Sequence, residues 1–252
     1  MPRACHMQPG LAVAAGLFCM IWSTAARGEP ALPAPGVIFV VEGVGGLEIM
    51  AQSAHWALTH AGVPHEIRIF VWTHGKGQFL RDLQDTKHLT LKAEELAAEV
   101  MREKERAPER PVYLVGKSAG AGLVLAAAAH LPPNTIERIV LLSAAVSPTY
   151  DLRPSLSATR GEIVSFYSTS DQVVLGWGTR QFGTIDRVYG RSAGLSRFVV
   201  PANLPPDEQQ LYQRLIQIPW KATMIREGNL GTHVGTSMPA FIGKEVAPWL
   251  MH

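Results

Sequence analysis

Apolar and polar positions follow one another along this chain in blocks. Val37-Ile38-Phe39-Val40-Val41 is a run of five apolar residues with no polar interruption, the pattern of a strand covered on both faces of a parallel sheet. From 47 to 61 the apolar positions recur at helical spacing, and Gly62 and Pro64 close the run. The alternation then repeats, with a strand over 66–72, an amphipathic helix over 89–106, a strand over 112–115, an Ala- and Leu-rich helix over 119–131, and strands over 136–144 and 161–167. This order predicts an α/β fold: a three-layer sandwich whose mostly parallel sheet carries helices on both faces. Reactive groups in such a sheet gather at the carboxyl ends of the strands.

Four stretches fit the alternation less well. Residues 73–88 form a polar connection long for a plain turn, which suggests a rim or lid. Residues 177–206 show little periodicity and are expected to wall a pocket, 207–218 read as a short helix behind Pro205-Pro206, and 237–250 read as a final helix.

The N-terminus changes the picture. Arg3 precedes an apolar run of 12 residues ending at Trp22, followed by Ser23-Thr24-Ala25-Ala26 and Gly28. These are the parts of a secretory signal peptide over residues 1–28, and the run is shorter than the roughly 20 residues of a spanning helix. Residues 29–36 form an extended Pro/Ala leader and residues 37–252 one domain. Cleavage would remove Arg3 and Arg27 from the 23 basic residues, leaving them equal in number to the 21 acidic ones, and would remove both cysteines, Cys5 and Cys19. The expected product is an exported protein that folds on its core without disulfides. It has no Lys/Arg stripe for nucleic acid and no stable membrane span.

The chemistry concentrates in Gly116-Lys117-Ser118-Ala119-Gly120, which lies between the strand at 112–115 and the small-residue helix after it. G-x-S-x-G in strand-turn-helix context is a nucleophile elbow: side chains at the two glycine positions would collide as the chain reverses. A phosphate-binding Walker loop would need glycine where Pro111 stands, and a dinucleotide fingerprint would need glycine where Glu48 stands. A serine hydroxyl needs a histidine to take its proton and a carboxylate to orient that histidine. After residue 118 there are only His130, His233 and His252. His130 is carried away by the elbow helix and His252 is terminal, so His233, in a glycine-rich loop, is the candidate base. Asp171, just past the strand end at Tyr167, is the candidate acid, with Asp151 as the alternative; Glu162 sits at the wrong end of its strand. Stabilising an oxyanion needs two N–H donors. They are assigned to the backbone of Ala119 and of Val44, with Gly45 the alternative to Val44.

Gly116-Lys117-Ser118-Ala119-Gly120, Asp171 and His233, in this order on alternating strands and helices, resemble the α/β-hydrolase fold family. The resemblance spans residues 37–250 and is nearest to exported bacterial members with a glycine loop after the first strand. It implies a serine hydrolase acting through an acyl-enzyme on a small-molecule or lipid-like carboxylic ester, with Ser118 as nucleophile, His233 as base and Asp171 as acid, and with no cofactor and no metal. Two positions depart from the family's habit. The first loop reads Glu42-Gly43-Val44-Gly45 where many esterases carry His-Gly, and Lys117 stands beside the nucleophile where many members have His or Asp. The same residues would serve acyl transfer or thioester hydrolysis, and a binding protein could keep the fold without catalysis.

Overall fold

The computed structural model describes residues 35–251. The signal peptide expected over 1–28 and residues 29–34 of the leader lie outside the described residues. The strands are β1 (Val37–Val41), β2 (Glu66–Phe70), β3 (Val112–Lys117), β4 (Arg138–Leu142), β5 (Ile163–Tyr167) and β6 (Leu215–Pro219). The helices are α1 (Ile49–His60), α2 (Phe79–Gln84), α3 (Thr86–Arg106), α4 (Ala119–Ala128), α5 (Arg153–Ala158), α6 (Thr179–Phe182), α7 (Ala193–Ser196), α8 (Pro206–Tyr212) and α9 (Pro239–Phe241).

All strand pairs are parallel, in the order β2-β1-β3-β4-β5-β6. The uninterrupted apolar strands follow from this layout, because each central strand faces a helical layer on both sides. On one face Val37, Phe39, Val41 and Leu114 pack with Leu96 and Val100 of α3 and Leu123 of α4. On the other, Ile38, Val40, Tyr113 and Val115 pack with Met50 and Leu58 of α1 and with Phe241 and Val246 near the C-terminus. Successive β1 residues thus serve opposite cores, and each large side chain buried this way is worth about 1.5 to 3 kcal/mol. The register puts the carboxyl ends level: Val41 pairs with both Phe70 and Gly116, and Lys117 with Leu142. The reactive edge is therefore one continuous rim.

Several sequence expectations are corrected. The helix read over 207–218 is two elements, α8 and the edge strand β6. Leu215-Ile216-Gln217-Ile218 is too short for periodicity to separate strand from helix, and pairing with β5 decides it. The connection at 73–88 contains α2 and the first turn of α3, whose N-terminus is capped by the Asp85 side chain accepting from His88 N at 3.0 Å. The last helix, read over 237–250, is broken into short 3₁₀, α and π-type turns, with Pro239 and Pro248 opening two of them. The strand read over 136–144 is shorter, because Ser143 turns out of it with φ of 51°. Among the described residues no helix is long and apolar enough to cross a membrane.

Candidate active site

Ser118 sits between β3 and α4 with φ 54° and ψ −120°. A non-glycine residue held there costs on the order of 1–3 kcal/mol and persists only when its surroundings over-determine it. Ser118 N donates to Leu142 O at 2.9 Å, and Ser118 O accepts from Ala121 N at 3.1 Å and Ala145 N at 3.0 Å. The flanking glycines are sterically obligatory. A Cβ on Gly116 would lie 2.7 Å from Ala121 Cα, and one on Gly120 would lie 2.3 Å from Glu42 O.

The loop after β1 closes over the serine. A Cβ on Gly43 would stand 3.2 Å from Ser118 Cβ and 3.8 Å from its Oγ. Glu42, at the head of this loop, turns its carboxylate to the N-terminus of α1, accepting from Ala51 N at 3.0 Å and from Gly43 N at 2.9 Å. Gly45 N donates to Asp82 Oδ2 at 2.7 Å. That bond takes the Gly45 amide out of contention as an anion donor. Among the described residues the Val44 and Ala119 amides have no protein acceptor, and Val44 lines the same cleft as Ser118.

The strand-end acid and the histidine loop meet as the sequence suggested. His233 Nδ1–H donates to Asp171 Oδ2 at 2.8 Å, and Asp171 is buried. The loop is held from several sides: Ser168 Oγ donates to Gly231 O at 2.6 Å, Gly231 N to Asn229 Oδ1 at 2.9 Å, and Trp220 Nε1 to Asn229 O at 2.9 Å. Burial, and then the nearby Lys117 charge, push the His233 pKa below 6.5, while Asp171 and Glu42 pull it up. Lys117 donates to His233 O and, at 3.0 Å, to Thr236 Oγ1, tying the loop to the strand that carries the serine. No hydrogen bond joins Ser118 Oγ to His233 in this arrangement; such contacts commonly tighten only with substrate bound. The alternative acid, Asp151, is exposed and engaged by Arg153 at 2.9 Å, which lowers its pKa. It makes no contact with His233.

A cleft of about 320 Å³ opens at Ser118, lined by Val44, Phe79, Leu83, Ala145, Leu175 and Phe182 among others. Phe79 lies so close to the glycine loop that a Cβ on Gly45 would be 2.1 Å from its ring. The polar stretch read as a rim thus supplies the apolar wall of the cleft, through α2. Asp82 on the same helix escaped the sequence reading altogether. Its partner Gly45 lies 37 residues away, and no local pattern marks that contact. Among the described residues no group of His, Cys, Asp and Glu is placed to hold a metal ion.

A parallel sheet between helical layers, a serine elbow after β3, an acid after β5 and a histidine loop after β6 together have the α/β-hydrolase fold. No protein-family model matches the chain, and no curated protein sequence matches it. Among solved structures, a lipase-esterase related protein from Clostridium acetobutylicum ATCC 824 aligns at 12% identity and TM-score 0.48, covering 86% of this chain and 93% of its own. A novel cutinase-like protein from Cryptococcus sp. aligns at 12% identity and TM-score 0.47, covering 86% and 95%. A Trichoderma reesei cutinase aligns at 12% identity and TM-score 0.41, covering 85% and 77%. Likenesses this distant bear on neither activity nor substrate.

Proposed function

We propose that the protein is a serine hydrolase that cleaves carboxylic esters through an acyl-enzyme. The observation that carries this reading is the strained Ser118 elbow, joined through Lys117 to a loop whose His233 is already oriented by Asp171. In this reading His233, neutral at neutral pH, takes the Ser118 proton as Oγ adds to the ester carbonyl. The Ala119 and Val44 amides receive the oxyanion. His233 then protonates the leaving alcohol, and water, deprotonated by the same imidazole, attacks the acyl-enzyme to release the acid and restore the serine. Each step conserves its proton on His233 or on a product. The apolar lining of the cleft favours an uncharged acyl group, and a volume of about 320 Å³ has room for a chain of about ten carbons if each methylene takes a water's share, roughly 30 Å³.

The test is reaction of the purified protein with a fluorophosphonate probe, followed by peptide mapping and an ester chain-length series. The adduct is expected on Ser118, with activity highest for medium apolar acyl chains. An intact Ser118 after exposure to the probe contradicts the reading. Product analysis with competing alcohols and thioesters separates hydrolysis from acyl transfer and thioester cleavage. Export belongs to the same proposal, resting on the composition of residues 1–28. Finding the expressed protein in the cell interior with Met1 retained would oppose it.

A further inference from the structure

The reaction scheme leaves one buried cation unused. Lys117 sits beside the nucleophile and is only 4% exposed. Its direct partners are neutral: the carbonyl of His233 and the hydroxyl of Thr236. Glu42 and Asp171 act on it only through their charge, and burial outweighs them, lowering its pKa to about 8. An ammonium in such a place works against folding at neutral pH, because the charged form loses its hydration. An apolar side chain there would avoid that cost, so the contacts Lys117 makes are the reason to look for a role.

Those contacts join the two halves of the site. Lys117 is the last residue of β3 and precedes Ser118 in the chain, while its acceptors lie 116 and 119 residues further on. Thr236 continues the connection by sharing a hydrogen bond with Ser143 Oγ at 3.1 Å, just past the end of β4. Lys117 thereby reaches from the serine's strand to the backbone of the proposed base. We infer that Lys117 is a positioning residue: it fixes the His233 loop against the elbow through the His233 carbonyl and places a positive charge beside the imidazole that must start the reaction neutral. The inference rests on the hydrolase reading above and deepens it.

The charges facing His233 are Asp171 from the loop after β5, Glu42 from the end of β1 and Lys117 from β3. The two carboxylates favour the imidazolium, whereas burial and Lys117 oppose it. Removing Lys117 leaves the carboxylates unanswered, so the imidazole should protonate at higher pH.

The deciding experiment compares wild type with Lys117→Met, which keeps most of the length of the side chain and removes charge and donors. In the variant, the pH at which kcat/KM falls on the acid side should rise by about one unit, the size of one nearby, partly screened charge. Plateau kcat should fall about tenfold from the loosened base, with KM within a factor of about two. A merely structural lysine would move the melting temperature and leave the acid limb in place. An unmoved limb, or a change confined to KM, overturns the inference. Should Lys117→Met fail to fold, Lys117→Gln, which removes the charge and keeps a donor, tests the same role: an acid limb still raised by about one unit supports it, and an unmoved limb overturns it. Fluorophosphonate labelling runs alongside. A labelled Ser118 with an unmoved limb defeats only the role of Lys117, whereas an unlabelled Ser118 in wild type defeats the hydrolase reading itself.

Discussion

Two aspartate–histidine pairs stand at the same edge of the sheet, and by distance alone they are twins. His233 Nδ1 lies 2.8 Å from Asp171 and His74 Nδ1 lies 2.9 Å from Asp82, with both carboxylates buried. Their surroundings separate them. His74 Nε2 is 3.3 Å from Asp85, its ring lies 3.9 Å from that of His88, and Asp82 spends its other oxygen on Gly45 N. Both oxygens of Asp82 are committed, one to the backbone and ring of His74 and the other to the glycine loop. The outer nitrogen of His233 has no partner among the described residues, and the loop that carries it is tied to the serine's strand. A short Asp–His contact is therefore common to a brace and to a candidate base, and what distinguishes the candidate base is an uncommitted nitrogen on a loop tied to the serine's strand.

The strongest way to break this comparison is to remove the members of each pair in turn. Ser118→Ala or His233→Ala should reduce kcat by about a millionfold, measured with a medium-chain ester, because groups acting as a unit fail together. His74→Ala in the same assay should retain most of the activity while lowering the melting temperature. Comparable losses at His74 and His233 would erase the distinction. Next in size, Asp171→Asn should lower kcat by about ten-thousandfold through loss of the oriented tautomer, leaving the fold intact by circular dichroism.

Asp82→Asn sharpens the contrast from the other side. It strips the charged acceptor from Gly45 N and from the backbone and ring of His74, so unfolding in urea should show a loss of about 2 to 3 kcal/mol. Any fall in kcat should stay below the hundred- to thousandfold typical of a lost oxyanion donor, since the Val44 and Ala119 amides remain. The smallest effect is a shift in pH. With burial and Lys117 lowering the His233 pKa below 6.5, the candidate base is neutral at neutral pH. The acid limb of kcat/KM should therefore have its midpoint below pH 6.5, and a midpoint above that value would mean that Asp171 outweighs burial.

Much of this site could be read before the fold, for reasons that are local. Gly116 and Gly120 are demanded by backbone atoms within a few residues or on the adjoining strand end, so the elbow shows in a pentapeptide. The central strands show because burial on both faces keeps their interiors almost entirely apolar, with Ser165 of β5 the exception. The half-buried edge strand β6 carries a weaker signal and passed for a helix. The sequence leaves Asp171 and Asp151 both open as the candidate acid, and only the fold shows that Arg153 holds Asp151 while His233 contacts Asp171.

By itself the chain determined the layered α/β architecture, the strained position of Ser118 and the order in which the candidate residues Ser118, Asp171 and His233 occur. Those features depend on periodicity, on backbone sterics and on position along the chain. Tertiary structure alone decided that Val44 rather than Gly45 keeps its amide free, that a polar-looking stretch forms the apolar wall of the cleft, and that Lys117 reaches the His233 loop. Each of these depends on residues between about thirty and 120 positions apart, a separation at which a side chain's partner is set by the packing of the sheet and its loops and leaves no periodic trace in the sequence.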